Sequence, residues 1–185
     1  PQRRIAIERM LDAAGDRPWV LDPPFIDRSP LRRDFARRLL SRGPSILRGN
    51  RAEIEALSGE DEPDLQALSG AWQTTLALTG VVDLVATGER AETVANGHAL
   101  MAAFAATGPD DPHLAAIAAL AVFGVAGEVA GRSAKGPGSF QVALLDALYS
   151  LTPDAVASGA KIARAAAPTG RVRDSRDPAS PTTRT

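Results

Sequence analysis

The segment from Pro44 to Ile54 constrains the fold more than any other part of the sequence. An apolar pair is followed by Arg48-Gly-Asn50, and helical spacing then begins. We interpret the segment as a strand, a loop and a helix, in which Asn50 caps the helix and Glu53 completes a capping box. Loops after the strands of an open α/β sheet line the ligand crevice, so an arginine and a carboxylate there indicate an anionic ligand. A capping box beside one solvated arginine explains the same residues without a ligand.

The neighbouring segments continue this alternation of helices and strands. The apolar spacing predicts helices over 3–14, 30–42, 50–58 and 64–72, the second capped by Ser29. Strands are predicted at 18–22 and 75–79, and a hairpin of 81–85 with 92–95 is expected to close one edge of the sheet. Alanine-rich helices follow at 98–107, 111–132, 139–150 and 152–166. This order predicts an α/β fold with a mainly parallel sheet.

Length and composition set the remaining limits. The 185 residues suit one domain, placed at 1–167, and the polar segment 168–185 is predicted to be a disordered tail. A net charge of −1 gives no reason to expect nucleic acid or an anionic membrane as a partner. The apolar run from Leu114 to Gly127 is shorter than a bilayer span, and no signal peptide is visible, so a cytoplasmic protein is expected. The absence of cysteine rules out disulfides and thiolate chemistry.

Polar side chains follow three of the predicted strands. Asp22 ends the first strand, Arg48 and Glu53 follow the second, and Thr79 ends the third. In a parallel sheet these residues share one edge, where two carboxylates could hold Mg²⁺ through waters while Arg48 neutralises phosphate.

Other polar positions carry a weaker signal. His98 is a candidate acid or base, with a cap or packing residue as the alternative. The loop at 136–139 could offer amides to an anion, or serve only as a loop and helix cap. No Gly-Lys-Ser/Thr loop is present, and no Gly-x-Gly-x-x-Gly motif follows a strand, which argues against a Rossmann dehydrogenase.

Several motifs together resemble the hydroxyethylthiazole kinase family, which has a ribokinase-like three-layer α/β/α fold. They occur in the family's order, cover most of the chain up to about Leu151, and are the following: Trp19-Val-Leu-Asp-Pro23, Ser29-Pro-Leu-Arg32, Leu47-Arg-Gly-Asn-Arg-Ala-Glu-Ile54, Leu76-Ala-Leu-Thr-Gly-Val-Val-Asp-Leu-Val85, Asn96-Gly-His-Ala-Leu-Met101, Ala121-Val-Phe-Gly-Val-Ala-Gly-Glu128 and Gly136-Pro-Gly-Ser-Phe-Gln-Val-Ala-Leu-Leu-Asp-Ala-Leu148. Each motif alone is weak, and their combination is specific.

The resemblance implies transfer of the γ-phosphoryl group of ATP to the primary alcohol of 4-methyl-5-(2-hydroxyethyl)thiazole, with Mg²⁺, in thiamine biosynthesis and salvage. Carried over by position, Arg48 and Thr79 would contact ATP, while Asp22 and Glu53 would lie on the metal and phosphate side. Family members are trimers with sites between subunits, so the resemblance also implies a homotrimer.

The sequence departs from the family in three places. The family's glycine-rich segment with its catalytic cysteine should follow Met101, where Ala102 follows directly, so no catalytic residue can be assigned. The family's N-terminal strands and helices, which carry most of the thiazole pocket, have no counterpart before Pro1. Phe25-Ile-Asp-Arg-Ser29 replaces the family's Gly-Ala-Gly-Ala-Thr. Loss of preorganised donors at the phosphoryl group lowers rates by about 10²–10³. We therefore expect a poor kinase, or alternatively a non-catalytic relative that binds nucleotide or forms oligomers.

Overall fold

The computed structural model describes residues 2–95 and 110–165. Its helices are α1 (Gln2–Ala14), α2 (Pro30–Leu40), α3 (Arg51–Ser58), α4 (Leu65–Trp72), α5 (Pro112–Ser133), α6 (Pro137–Ser150) and α7 (Pro153–Gly159). Its strands are β1 (Val20–Leu21), β2 (Ile46–Asn50), β3 (Thr75–Thr79), β4 (Asp83–Thr87), β5 (Arg90–Val94) and β6 (Ile162–Arg164). The predicted helix at 98–107 and the predicted tail at 168–185 lie outside the described residues.

The strands form one sheet in the order β1-β2-β3-β4-β5-β6. The first three are parallel, with Leu21 opposite Leu47 and Asn50 opposite Thr79. The pairings from β3 onward are antiparallel. The described sheet is therefore mixed, and its parallel part is confined to the strands that alternate with helices. Crossover helices allow parallel pairing, whereas the tight turn between β4 and β5 forces the antiparallel direction.

Helices cover both faces of the sheet, as the α/β prediction requires. On one face, α1 to α4 pack against alternate strand residues in a core that includes Leu39, Leu47, Leu57, Leu68 and Leu76. On the other face, α5 packs on Ile46, Ala77, Val85 and Val94. Helix α6 lies against the far end of α5 rather than on the sheet, through Ala126, Ala130, Leu144 and Ala147. The alternation of buried side chains between two faces gives the three-layer arrangement.

The C-terminal part of the sheet differs from the sequence prediction. Strands β4 and β5 meet at a turn of only two residues, because Thr87 pairs directly with Arg90 and Gly88 has a left-handed backbone with φ 55°. The helix expected over 152–166 ends at Gly159, and β6 then pairs with β5. The hairpin is therefore not the edge of the sheet. All three residues of β6 are exposed, so their apolar pattern gave no sign of a strand.

Two local predictions need correction beside α2 and α3. Residues Arg48 to Asn50 continue β2 instead of forming a loop, because they pair with Ala77 to Thr79. Ser29 occupies the cap position of α2, but its side chain makes no capping hydrogen bond, and Pro30 starts the helix. Asn50 does cap α3 through its side chain, as predicted.

Helix α5 is longer than the apolar run that it contains. By length and composition alone, its 22 residues would suffice to cross a membrane, although the run from Leu114 to Gly127 within it is shorter than a bilayer span. In this protein, 56% of the apolar 18-residue stretch of α5 is buried, because the helix packs against the sheet and α6. Such burial is typical of a central helix in a folded core.

Candidate functional site

The four residues predicted for a site lie at one edge of the sheet. Asp22 follows the end of β1, Arg48 is the central residue of β2, Thr79 ends β3, and Glu53 is in the first turn of α3. Because β1, β2 and β3 are parallel, their carboxyl ends meet at the same edge. We call this the carboxyl edge. It is the position at which open α/β sheets bind ligands.

Arg48 and Asp22 form an ion pair across the first two strands. The Arg48 Nη1 atom donates to Asp22 Oδ2 at 2.8 Å. The Arg48 side chain is 15% exposed and that of Asp22 is 29% exposed, so the pair is partly shielded from water. Partial burial strengthens a charge-assisted hydrogen bond relative to an exposed pair. The guanidinium is thus held at the carboxyl edge by a partner on the neighbouring strand.

Glu53 uses both carboxylate oxygens to bind backbone amides. Oε2 accepts from the N–H of Asn50 at 2.9 Å, and Oε1 accepts from the N–H of Phe25 at 2.9 Å. The Asn50 side chain accepts in turn from the N–H of Glu53, which completes the capping box. The bond to Phe25 also ties the segment after β1 to the start of α3. Glu53 therefore has a clear structural role, as the alternative interpretation of the sequence required.

The two glycines at this edge have different explanations. A Cβ atom at Gly49 would lie 3.3 Å from Ile54 Cδ1 and 3.4 Å from Glu53 Cβ. The close packing of α3 on β2 therefore explains Gly49 without the approach of a ligand. A Cβ atom at Gly80 would meet only the Val82 carbonyl oxygen, at 3.5 Å. The backbone at Gly80, which is exposed, is open to the solvent side of the edge.

Thr79 lies beside the end of β2. Its hydroxyl donates to the carbonyl oxygen of Gly49 at 3.4 Å, a long hydrogen bond, and the residue is half-buried. A weak bond of this length leaves the hydroxyl able to turn toward a better acceptor. Thr79 is therefore placed where a polar ligand at the carboxyl edge could contact it.

Asp83 belongs to the same edge and was not selected from the sequence. It is the first residue of β4 and is 2% exposed, and its Oδ1 atom accepts from the N–H of Gly80 at 2.9 Å. Burial raises the pKa of the Asp83 carboxyl above its ordinary value, against the opposing effects of the Gly80 amide and the positive charge of Arg48. The only sequence signal was a carboxylate three residues after a glycine, which is common in turns.

Asp22 also borders a groove between α1, α2 and β1. The groove has a volume of about 480 Å³. Its walls are mainly apolar and include Ile7, Met10, Trp19, Ile26 and Phe35, while Arg3, Arg4 and Arg32 lie at its margins. The Asp22 carboxylate is thus shared between the carboxyl edge and an apolar surface.

The carboxylates of this edge do not form a complete metal cage. Within residues 2–95 and 110–165, no group of three or more His, Asp or Glu side chains could hold a metal ion. Asp22 already accepts from Arg48, and Glu53 already accepts from two amides. A magnesium ion that keeps most of its waters and is bound mainly by phosphates needs only one or two such carboxylates. These residues fit that kind of bound ion.

The protein has the ribokinase-like α/β/α fold, which solved structures of other proteins share. Pyridoxal kinase of Entamoeba histolytica with PLP superposes with a TM-score of 0.61, over 89% of this chain and 68% of that one, and at 11% identity this likeness is one of fold alone. The hydroxyethylthiazole kinase family model matches residues 3–67 and 62–154. This chain belongs to the hydroxyethylthiazole kinase family.

Individual relatives agree with that assignment. Hydroxyethylthiazole kinase from Cereibacter sphaeroides is 42% identical, covering 81% of this chain and 68% of the relative, and that from Rhizobium leguminosarum is 40% identical, covering 86% and 70%. The structure of the protein from Pyrococcus horikoshii superposes with a TM-score of 0.78 at 34% identity, over 88% of this chain and 72% of that one. The alignment with the Cereibacter relative runs over 179 positions, but it covers only 81% of the 185 residues of this chain. Fewer residues of this chain than aligned positions are therefore matched, so some positions of the relative have no counterpart in this chain.

Proposed function

We propose that this chain transfers the γ-phosphoryl group of ATP to the hydroxyl of 4-methyl-5-(2-hydroxyethyl)thiazole, a step of thiamine biosynthesis and salvage. The observation that carries the proposal is the meeting of Arg48, Asp22, Glu53 and Thr79 at one edge of a sheet in a chain of this kinase family. The family membership supports the reaction, and the geometry supports the location of the nucleotide.

The proposed roles follow from the chemistry of each group. Arg48 contacts the phosphates of ATP, because a guanidinium can bind phosphate oxygens in a bidentate manner. Thr79 contacts the nucleotide through its hydroxyl. Asp22 and Glu53 lie on the metal side and act on Mg²⁺ through its waters, since their oxygens already accept hydrogen bonds from the protein. Bound Mg²⁺ supplies neutralisation of the phosphate charge.

No residue is proposed as the catalytic group. The chain has no cysteine, and the region in which the family carries its glycine-rich catalytic segment falls within residues 96–109, outside the described part. We propose that the reaction is slow for this reason. Preorganised donors around a transferred group account for about 10²–10³ in rate.

We also propose that the chain forms a homotrimer in the cytoplasm and acts without nucleic acid or a membrane. The family resemblance supports the trimer. An exposed apolar stripe on α6 supports contact between this chain and another protein chain. Val142, Leu145 and Tyr149 lie three and four residues apart on that helix, and their exposed fractions are 61%, 62% and 95%. Light scattering after size-exclusion chromatography would give three times the mass of the 19.3 kDa chain. A monomeric mass would contradict the trimer.

The test of the reaction is direct detection of the phosphorylated thiazole by mass spectrometry. The purified chain, from a host that lacks its own thiazole kinase, is incubated with MgATP and the thiazole alcohol. The expected result is a slow increase in the phosphate ester with time, which at limiting ATP is much slower in Arg48→Ala and unchanged in Arg42→Ala. Arg42 is a matched control, because it also pairs with an aspartate, Asp12, on the distant α1–α2 surface.

The second candidate function is nucleotide binding without transfer. The lack of any cysteine, together with alignment positions that have no counterpart in this chain, favours it. In that case ATP would bind with an affinity that depends on Arg48, and no ester would form. A chain that neither binds ATP nor forms the ester would contradict both candidates.

A further inference from the structure

A buried carboxylate closes the turn between β3 and β4. Strand β3 ends at Thr79 and β4 begins at Asp83, so residues 80–82 form the turn between them. The N–H of Gly80 donates to Asp83 Oδ1 at 2.9 Å, which joins the two ends of this turn. The tip of the turn is exposed, since the exposed fraction of Val81 is 82%. The carboxylate of Asp83 is therefore the internal support of a turn whose outer surface faces solvent.

The location of Asp83 is electrostatically unfavourable unless its neighbours compensate. Removal of a carboxylate from water disfavours its charged form, and Asp83 is 2% exposed. Two groups favour the charge: the Gly80 amide, which donates a hydrogen bond, and Arg48, whose positive charge is near enough to act on it. The proposed function assigns Arg48 and Thr79 to the nucleotide, and Gly80 follows Thr79 directly. Asp83 therefore binds the residue next to Thr79 and lies within reach of the charge of Arg48.

We propose that Asp83 is a positioning residue for the nucleotide site, acting through the Gly80 amide to hold the Thr79–Gly80 backbone in place at the carboxyl edge. The inference rests on the proposed function. The Asp83 side chain points into the protein and has no need to touch ATP. Its effect reaches the ligand because the turn that it holds follows directly on Thr79.

Two substitutions separate the hydrogen bond from the charge. Asp83→Asn keeps an oxygen that can accept from the Gly80 N–H and removes the negative charge. Asp83→Ala removes the acceptor as well, so that the Gly80 amide loses its partner and the turn is no longer closed. We expect the KM for ATP to rise about 10-fold or more in Asp83→Ala, and to stay within about 3-fold of the wild-type value in Asp83→Asn.

A control removes an exposed aspartate that also accepts hydrogen bonds from nearby backbone amides, in another part of the chain. Asp64 caps α4 and accepts from the backbone N–H groups of Gln66 and Ala67 at 2.9 and 3.2 Å. Asp64→Ala therefore also removes an aspartate that binds a nearby amide, but at a helix start away from the carboxyl edge. It is expected to lower the melting temperature without a change in the KM for ATP.

Amide hydrogen exchange gives a readout that does not depend on activity. In the protein without ligand, the Gly80 amide is expected to exchange slowly in the wild type and in Asp83→Asn, and faster in Asp83→Ala. A Gly80 amide that exchanges at the same rate in all three proteins would overturn the proposed support of the turn. So would an Asp83→Asn protein whose KM for ATP rises as much as that of Asp83→Ala, because positioning through the amide requires rescue by the isosteric side chain.

The two proposals fail in different ways in this experiment. If the proposed function is wrong, the wild-type chain does not bind MgATP in a calorimetric titration. If only the positioning role is wrong, the wild type binds MgATP and Asp83→Ala binds it equally well. The supporting result is wild-type binding that Asp83→Ala weakens, that Asp83→Asn largely retains, and that Asp64→Ala leaves unchanged.

Discussion

Arg48 of β2 donates a hydrogen bond of 2.8 Å to the carboxylate of Asp22, the residue that follows β1. This ion pair fixes the direction of the guanidinium before any ligand is present. An arginine that is already oriented loses less conformational entropy when it binds phosphate. Asp22 is thus expected to support the nucleotide indirectly through Arg48, in addition to its proposed place on the metal side.

Arg48→Ala is predicted to weaken ATP more than the thiazole alcohol. Loss of charge-assisted hydrogen bonds to phosphate is expected to raise the KM for ATP about 10- to 100-fold. Arg48→Lys should recover only part of this, because an ammonium group cannot reproduce a planar bidentate contact. Steady-state kinetics with each substrate varied in turn measures both effects. An unchanged affinity for ATP in Arg48→Ala would contradict the assignment of Arg48.

Glu53→Gln is predicted to lower the free energy of unfolding by about 1–3 kcal/mol. The amide nitrogen of glutamine cannot accept a hydrogen bond, so either the Asn50 N–H or the Phe25 N–H loses its acceptor. Denaturant unfolding measures the change. Glu55→Gln on the same helix is the control, because Glu55 is only half-buried, and it should unfold like the wild type. Equal free energies of unfolding for Glu53→Gln and the wild type would argue against a stabilising role for the two hydrogen bonds that Glu53 accepts.

Much of the carboxyl edge could be predicted from the sequence, because local signals mark the ends of its strands. Pro23 and Pro24 stop β1 after Asp22, and Asn50 with Glu53 carries the signature of a helix start. Because parallel strands end at the same edge of a sheet, the prediction of parallel pairing is enough to bring these ends together. The ion pair of Arg48 with Asp22 joins residues 26 positions apart, and its geometry depends on the register of the sheet, which local sequence does not specify.

Other features depend on long-range contacts and gave no signal. Strand β6 exists because its backbone pairs with β5, about 70 residues earlier in the chain, and its own residues are all exposed. His113 is 1% exposed and its ring contacts the side chains of Thr87 and Glu92, which belong to two other elements. Asp83 looked like part of a strand, and its burial depends on the strands around it.

Phe25 is predicted to be replaceable by glycine without loss of stability. It has a left-handed backbone with φ 59° and a 58% exposed side chain. This conformation costs a non-glycine residue about 1–2 kcal/mol, whereas glycine costs about 0.4–1 kcal/mol through the entropy of the unfolded chain. Phe25→Gly should therefore change the free energy of unfolding by about 0 to +1.6 kcal/mol.

Phe25→Val is the informative comparison at the same position. A β-branched side chain is strongly disfavoured at positive φ, so this variant should unfold more easily than the wild type. Thermal unfolding of the three proteins under identical conditions measures the order. If Phe25→Gly unfolded more easily than Phe25→Val, backbone strain at residue 25 would not contribute to the stability of the protein.

Asp83→Asn is predicted to become more stable relative to the wild type as the pH rises above 3.8, the ordinary pKa of the aspartate side chain. The pKa of Asp83 is raised by burial, so the folded state binds the proton more tightly than the unfolded state does. Stability from this group is present below the unfolded pKa and is lost as the pH rises through the folded pKa. Asparagine does not titrate. Denaturant unfolding at several pH values would contradict this if the difference between the two proteins were constant.

Asp111→Asn is predicted to change the pH dependence in the opposite sense. The amide of Leu114 and the side chain of Arg90 hold the pKa of Asp111 below its ordinary value. Its stabilising contribution is therefore present above the unfolded pKa and is lost as the pH falls through the folded pKa. The wild type should exceed Asp111→Asn in stability near neutral pH, and the difference should shrink in acid. A difference that grows in acid would contradict the lowered pKa.

An NMR titration of the ¹⁵N-labelled chain with MgATP measures where the proposed nucleotide binds. The largest shifts are expected in the amides of Arg48, Gly49, Thr79 and Gly80, at the carboxyl ends of β2 and β3. Shifts concentrated at Ser45, Thr74 and Thr75, where the same strands begin, would place the ligand at the opposite edge of the sheet and contradict that expectation.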